Sequence, residues 1–225
     1  MTRKPLTFSL ICILIVSIIS MYVWLNLPDL EKYPTHWNAR GEVDAYGSRA
    51  TVGVMLLTFP MTVAFVTVLL YAIPKIEPLR ENLEASRKAY NIVWIMTIGF
   101  LTFIGAVMSP LFMSVEGINI DVFFRIITIG VCLLFIGIGN VMGKVRQNYM
   151  FGIRTPWTLA SELSWEKTHR LGGRAFVLGG IIPILFVLAS PKLGMTAMVI
   201  SIHVVILFIF VYSYRVWKSD PDKRR

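Results

Sequence analysis

The chain has 225 residues, of which 56% are hydrophobic and 16% are charged, and its mean hydropathy is +0.67. This composition excludes an ordinary soluble domain and indicates a membrane protein. The net charge of +9 is compatible with a nucleic-acid partner, but in a membrane protein the position of each charge matters more than the sum.

Six apolar runs are each long enough to cross a bilayer, whose hydrocarbon core of about 30 Å requires about 20 helical residues. The first run has a basic start but lacks a good small-residue cleavage signal, so we expect a retained span rather than a signal peptide. The sequence therefore predicts an all-α polytopic membrane bundle with six transmembrane helices. The runs cover residues 6–27, 51–73, 91–113, 122–143, 173–190 and 195–214.

Basic residues divide unequally between the loops. With six spans and an internal N-terminus, 17 of the 22 Lys and Arg residues lie inside, and the outer side keeps Lys32, Arg40, Arg49, Arg125 and Lys192. The positive-inside rule then places both the N- and C-termini in the cytoplasm. The tail Lys223, Arg224 and Arg225 is expected to lie against anionic lipid headgroups. No basic-aromatic platform is present, so the lipid bilayer is a predicted partner and direct nucleic-acid binding is not.

The sequence predicts neither catalysis nor a cofactor. Cys12 and Cys132 both lie in apolar runs without a CxxC or Cys/His neighbour, so we expect no disulfide and no metal site. The chain lacks HExxH and GxSxG motifs and paired intramembrane carboxylates, which makes an enzyme the least favoured class.

The outer loop, residues 28–50, is punctuated by Gly and Pro with aromatic residues between them, which predicts an ordered loop. Gly41 and Gly47 are expected to supply positive φ. Two interpretations stay open: a polar binding pocket on the extracytoplasmic face, or a compact lid whose side chains hydrogen-bond only to one another. A metal at His36 and Asp44 is disfavoured because a third ligand is missing. The candidate ligand-binding residues are His36, Trp37, Asn38, Gly41, Asp44, Tyr46 and Gly47.

The inner loop, residues 144–172, is the part of the chain richest in functional groups. Gly152 permits a turn, Thr155 can cap a helix and Pro156 suits its first position, so a helix is predicted to begin there. We expect this helix to end at the Gly172-Gly173 pair.

The predicted inner-loop helix has two interpretations. In the first it lies in the membrane interface, with Trp157 and Trp165 in the headgroup layer. In the second it belongs to a polar cytoplasmic surface that binds a partner. The candidates for this surface are Asn148, Gly152, Arg154, Thr155, Pro156, Trp157, Glu162, Trp165, His169 and Arg170.

A shorter inner segment carries Glu77, Arg80, Glu81 and Glu84 at spacings of three and four residues. This spacing places opposite charges one helical turn apart and predicts a solvated helix with internal ion pairs.

His203 lies near the middle of the last run, where an ionisable group is a functional candidate by default. The centres of the other runs carry no Asp, Glu, Lys or Arg, which favours a neutral imidazole bonded across helices over a proton relay. Pro60 and Pro183 interrupt backbone hydrogen bonding within their spans, as in transporters, so a small secondary transporter or efflux-type permease is the alternative function.

Two motifs resemble known sequences. The string Asn148-x-x-x-Gly-Ile-Arg-Thr-Pro-Trp-Thr-Leu159, followed by Ser161-Glu162, Trp165 and His169-Arg170, resembles the SdpI immunity-protein family. The outer-loop string Pro34-x-His-Trp-Asn-x-x-Gly-x-x-Asp-x-Tyr-Gly-Ser48 is similar to an uncharacterised membrane domain that often precedes the SdpI domain. We therefore predict an N-terminal membrane domain at 1–75, with two spans and the ordered loop 28–50. An SdpI-like domain at 76–225 would follow, with four spans and the signature loop 144–172.

The resemblance implies a multi-pass protein of the bacterial cytoplasmic (inner) membrane that confers resistance to a secreted antimicrobial peptide toxin. It also implies signal transduction, in which the toxin-occupied protein sequesters a transcriptional repressor at the membrane. On this interpretation the outer loop would sense the toxin. The inner loops, including Arg154, Trp157 and Arg170, would capture the repressor.

Overall fold

A computed structural model describes residues 3–38, 40–114 and 117–223. Six helices in these ranges are long and apolar enough to cross a membrane, which confirms the all-α six-span bundle. They are α1 (Arg3–Leu25), α2 (Arg49–Ile76), α4 (Arg87–Met108), α5 (Ile120–Met142), α7 (Glu162–Ala189) and α8 (Pro191–Ser219). Short helices α3 (Arg80–Ala85) and α6 (Pro156–Ala160) lie between spans, and a 3-10 helix (Ser109–Met113) extends α4.

Six spans bring both chain ends to the same side, and the positive-inside rule makes that side cytoplasmic. Arg224 and Arg225 of the predicted basic tail lie outside the described residues. Large apolar side chains on the bundle exterior, such as Leu14, Phe65 and Leu188, are exposed. In water such a surface would be unfavourable, but in a bilayer it faces lipid tails.

The helices pack as two groups of three, joined by contacts between α4 and α5. The first group comprises α1, α2 and α4, and the second comprises α5, α7 and α8. In the first group the Trp94 indole donates to Ser9 Oγ at 2.8 Å and the Tyr90 hydroxyl donates to the Leu70 carbonyl. This packing groups α4 with the N-terminal helices α1 and α2. The division of the sequence into two domains at residue 75 stays a prediction.

Glycines bring α5 and α7 into backbone contact. A Cβ added to Gly139 would lie 2.6 Å from the Gly173 carbonyl oxygen, and one added to Gly173 would lie 2.7 Å from that of Gly139. Farther along the same crossing, a Cβ on Gly180 would lie 2.6 Å from the Cys132 carbonyl oxygen. Small residues at such a crossing allow the close helix approach that stabilises membrane bundles.

The outer loop contains an antiparallel hairpin of β1 (Tyr33–Trp37) and β2 (Val43–Gly47), the one sheet in the described residues. These strands were not predicted, and they lie in the loop that was expected to be ordered. After β2, Ser48 caps α2 by accepting a hydrogen bond from the Thr51 N–H at 3.2 Å.

Candidate functional site

The helix in the cytoplasmic loop, α6, begins at the predicted position, after Thr155. Thr155 caps α6 by accepting from the Thr158 N–H at 3.2 Å, and Thr158 Oγ1 accepts in return from the Thr155 N–H at 2.9 Å. Pro156 occupies the first turn, where a missing backbone donor costs nothing.

The predicted end of this helix is wrong. The helix ends at Ala160 because Ser161 is extended, with φ −149° and ψ 122°. Ser161 then caps α7 by accepting from the Ser164 N–H at 2.9 Å, and α7 continues through Gly172-Gly173 to Ala189. Gly173 serves the contact with α5 instead of ending a helix, so residues 162–172 of the signature loop and the fifth span form one continuous helix.

Trp165 lies in the interior, and its predicted position in the headgroup layer is wrong. It is 1% exposed, and its indole N–H donates to the Val145 carbonyl at 2.8 Å. The Trp165 ring stacks on the His169 imidazole with 4.0 Å between the ring centroids. Trp165 therefore connects α7 to the chain that leaves α5.

His169 is also buried, at 1% exposed. Its Nδ1 lies 2.9 Å from the Trp165 carbonyl oxygen, and its Nε2 accepts from the Ile153 N–H at 2.9 Å. These two partners define the neutral imidazole with the proton on Nδ1.

The Gly152 turn fits closely against His169, and Gly152 has φ +108°. A Cβ at this position would lie 2.5 Å from His169 Nε2, so both the backbone angle and the available space require glycine.

Asn148 organises the turn that precedes Gly152. It is fully buried, and its Oδ1 accepts from the N–H groups of Met150 at 3.0 Å and Phe151 at 2.6 Å. Its amide N–H donates to the Arg146 carbonyl at 2.9 Å. Asn148 therefore holds the loop together, and binding a partner through it would require the loop to open.

The other predicted cytoplasmic residues are more accessible. Arg154 is exposed and donates to the Tyr149 carbonyl at 2.7 Å. Trp157 is half-buried against α8, where its ring lies 4.7 Å from Phe210 and 5.1 Å from Tyr214 between centroids. Glu162 and Arg170 are exposed as well. Together with Gly152 and Pro156, which are exposed too, these four residues form the part of the predicted surface that a partner can reach.

Glu77 holds the cytoplasmic segment in place, a role that the sequence did not predict. It is 1% exposed instead of solvated, and its carboxylate accepts from the Leu79 N–H at 2.9 Å. Both carboxylate oxygens also accept from the Tyr149 N–H, at 3.2 and 3.1 Å. The sequence contained one signal for this contact. A carboxylate directly after the C-terminal end of a helix is unfavourable beside the negative end of the helix dipole, so its presence there indicates a compensating interaction.

Acidic residues line a cleft of about 440 Å³ on the cytoplasmic face. Glu162, Glu166, Asp220 and Asp222 contribute to its walls, and Ser161 lies among them. The hydrogen bond from the Ser161 hydroxyl, followed by the one from the Asp222 N–H, lowers the pKa of Asp220 below its ordinary range. At neutral pH the cleft therefore presents negative charge to the cytoplasm.

On the outer face, the polar side chains of the hairpin bond to one another. His36 Nδ1 bonds to Asp44, and the Asn38 amide donates to Glu42 at 2.8 Å. This Asn38 bond, together with the Arg40 charge, lowers the pKa of Glu42. The arrangement corresponds to the compact lid, the second of the two interpretations of this loop.

The hairpin is anchored to the bundle at its turn end. Trp37 packs inward against Phe112, with 6.2 Å between the ring centroids. Gly41 has the predicted positive φ, +81°, and its carbonyl accepts from the Ile118 N–H at 3.3 Å. The positive φ predicted for Gly47 is wrong, because Gly47 continues the extended strand. His36, Asp44 and Tyr46 remain exposed on the outer side.

Metal-ligating groups are sparse in the ranges that the structure describes, which contain no cluster of three or more His, Cys, Asp or Glu side chains. Cys12 and Cys132 are both buried free thiols.

The features that suggested transport do not converge. His203 is exposed on α8, and its Nδ1 bonds to the Val199 carbonyl of the same helix at 2.8 Å, so the predicted bond across helices is wrong. Asn140 lines a different surface, between α5 and α7. Pro60 and Pro183 lie within continuous helices.

Comparison with known proteins agrees with both motif resemblances. Residues 144–214 match the SdpI/YfhL protein family, and residues 10–62 match a domain of unknown function, DUF1648. The chain is also 22% identical, over 226 aligned residues, to immunity protein SdpI of Bacillus subtilis (strain 168), and the alignment covers 100% of both chains. No solved structure matches the chain significantly. This multi-pass membrane protein therefore carries an N-terminal segment that matches DUF1648 and a C-terminal segment that matches the SdpI/YfhL protein family.

Proposed function

We propose that this protein is a non-catalytic immunity and signalling protein of the bacterial cytoplasmic membrane, which protects the cell from a secreted antimicrobial peptide toxin. The observation that carries the proposal is the alignment with immunity protein SdpI, which extends from end to end of both chains. Similarity over the whole length includes the outer hairpin and the cytoplasmic segment as well as the spans.

Toxin sensing is assigned to the outer hairpin. His36, Asp44 and Tyr46 are exposed there, while Trp37 packs against the bundle and Gly41 contacts the loop that precedes α5. A hairpin held to the bundle at its turn end offers a preorganised surface, which reduces the entropy lost on binding a peptide. A toxin arriving from outside meets this surface before it reaches the spans.

Expression of the chain in sensitive bacteria should preserve membrane potential and survival during exposure to the peptide toxin that immunity protein SdpI neutralises. Asp44→Asn should reduce this protection because it removes the charge that faces His36 on the exposed hairpin. Asp29→Asn is the matched control, since Asp29 is an exposed acid of the same outer loop. Survival and dye-reported depolarisation are the measurements. Absence of protection by inserted wild-type protein would refute immunity to this toxin, and equal protection by both variants would refute the hairpin assignment.

Repressor capture is assigned to the cytoplasmic face around Arg154, Trp157, Arg170 and the acidic cleft. A transcriptional repressor carries a basic surface for DNA, and the carboxylates of Glu162 and Asp222 would complement it. On this assignment the cleft and DNA compete for the same repressor surface.

Charge reversal by Glu162→Lys should weaken retention of the family-associated repressor in membrane fractions by about tenfold or more, because like charges then meet at the contact. Alanine substitution at Arg154, Trp157 and Arg170 should also reduce retention, because it removes the side chains that would pack against the repressor outside its basic surface. Glu81→Lys is the matched control on α3, since Glu81 is exposed on the cytoplasmic side. Quantitative immunoblots of membrane and soluble fractions provide the readout. Unchanged retention in the Glu162 and triple-alanine variants would overturn the assignment.

A further inference from the structure

A second groove lies between α5 and α7, on the membrane-facing side at the cytoplasmic end of the bundle. It has a volume of about 640 Å³. Its floor is the glycine crossing at Gly139 and Gly173, where the two helix backbones lie in contact and neither residue carries a side chain. This groove is separate from the acidic cleft, with which it shares no lining residue.

Three cations line the cytoplasmic end of this groove: Lys144, Arg170 and Arg174. All three are exposed, and no carboxylate of the described residues lies within 4.0 Å of any of them. Nearby Arg146, by contrast, is paired with Glu166 at 3.4 Å. The groove thus concentrates positive charge that the described part of the protein does not neutralise.

The opposite end of the groove is apolar. Val177 and Leu178 follow Arg174 on α7, and Leu178 is 57% exposed on the bundle exterior. Because α7 runs from the cytoplasm into the bilayer, Arg174 lies one helical turn deeper than Arg170 and Leu178 one turn deeper again. A cation in a membrane-spanning helix is costly unless its charge is matched at the interface.

We propose that this groove binds an anionic phospholipid of the cytoplasmic leaflet. Its phosphate would contact Lys144, Arg170 and Arg174, the Asn140 amide would donate to headgroup oxygens, and one acyl chain would lie along Val177 and Leu178. Basic pockets between transmembrane helices on the cytoplasmic side favour such headgroups. The order of the lining, from cations to apolar side chains with increasing depth, matches a lipid rather than a soluble anion.

The test is native mass spectrometry of the purified full chain in mild detergent, titrated with phosphatidylglycerol, phosphatidylcholine or glycerol phosphate. Phosphatidylglycerol should bind at least about tenfold more tightly than phosphatidylcholine, since the latter carries no net charge for the cations. The double variant Lys144→Gln/Arg174→Gln should bind phosphatidylglycerol about 25-fold more weakly, which corresponds to about fivefold for each cation removed. Lys88→Gln is the control, because Lys88 is an exposed cytoplasmic cation outside the groove.

A further variant tests the apolar half without changing any cation. Leu178→Trp should fill the groove and weaken phosphatidylglycerol binding, and its exposed position makes the larger side chain tolerable to the fold. Equal affinity for the two lipids, or unchanged binding in the double variant, would overturn the proposal. Glycerol phosphate binding as tightly as the lipid would also overturn it, because the site would then recognise a soluble anion.

Discussion

Replacing Glu77 with alanine should release the signature segment from the end of α2 and lower the free energy of unfolding by about 2 to 6 kcal/mol. The substitution removes the acceptor of two backbone N–H groups, those of Leu79 and Tyr149, and a buried donor without a partner costs about 1–3 kcal/mol. Denaturant unfolding in detergent would measure the loss. Trypsin should also cleave faster after Arg146 and Arg154, because the segment that carries them is no longer held.

Glu81→Ala is the control for this substitution. Glu81 is an exposed acid four residues from Glu77, and surface substitutions of this kind change stability by about 0.5 kcal/mol or less. Other contacts join the same two segments, since the Asn82 amide donates to the Gln147 carbonyl and Ser86 Oγ accepts from the Arg146 N–H. Partial opening is therefore expected instead of complete unfolding. A Glu77→Ala protein as stable and as protease-resistant as the Glu81 variant would contradict the role of Glu77.

Local signals in the sequence predicted much of this structure correctly. The six spans follow from hydropathy, which depends only on the length and composition of each run. The start of α6 follows from a Thr-Pro pair whose side chain and ring suit two adjacent backbone positions. Gly41 and Gly152 adopt positive φ, as expected of turn glycines.

Features that depend on distant contacts were predicted less well. Trp165 has the same side chain whether it lies in the headgroup layer or in the interior, and only the Val145 carbonyl and His169 decide between these positions. Gly172-Gly173 has the composition of a helix end, but contact with α5 makes it part of a continuous span. Glu77 is buried because Tyr149, far away in the sequence, supplies a donor.

The structure of the outer loop was predicted only in part. Its Gly and Pro spacing predicted order, but the choice between a binding pocket and a lid depended on which side chains face one another. The pairs His36–Asp44 and Asn38–Glu42 form only because the strands bring residues eight and four positions apart into contact. Sequence spacing alone does not specify that register, because a shift of one residue would turn these side chains to opposite faces.

Trp165→Ala should lower the free energy of unfolding by about 3 to 5 kcal/mol, the cost of emptying a buried tryptophan site. The substitution also removes the stacking partner of His169 and the donor to the Val145 carbonyl. Trp165→Phe should have a smaller effect, about 1–3 kcal/mol, because a ring still packs on His169 while the Val145 carbonyl loses its partner. Denaturant unfolding in detergent would rank the wild-type protein, the phenylalanine variant and the alanine variant in this order.

Membrane insertion should be unaffected in both Trp165 variants, because insertion depends on the hydropathy of the spans. The destabilisation should therefore concentrate in the cytoplasmic segment, where faster proteolysis after Arg154 would report loss of the Ile153–His169 contact. Tyr149→Ala is the matched control, an aromatic residue of the same segment whose side chain is 45% exposed. If Trp165→Ala unfolded at the same denaturant concentration as Tyr149→Ala, the stack of Trp165 on His169 would not hold the segment. The segment's order would then have to come from the contacts of Glu77, Asn148, Asn82 and Ser86 instead.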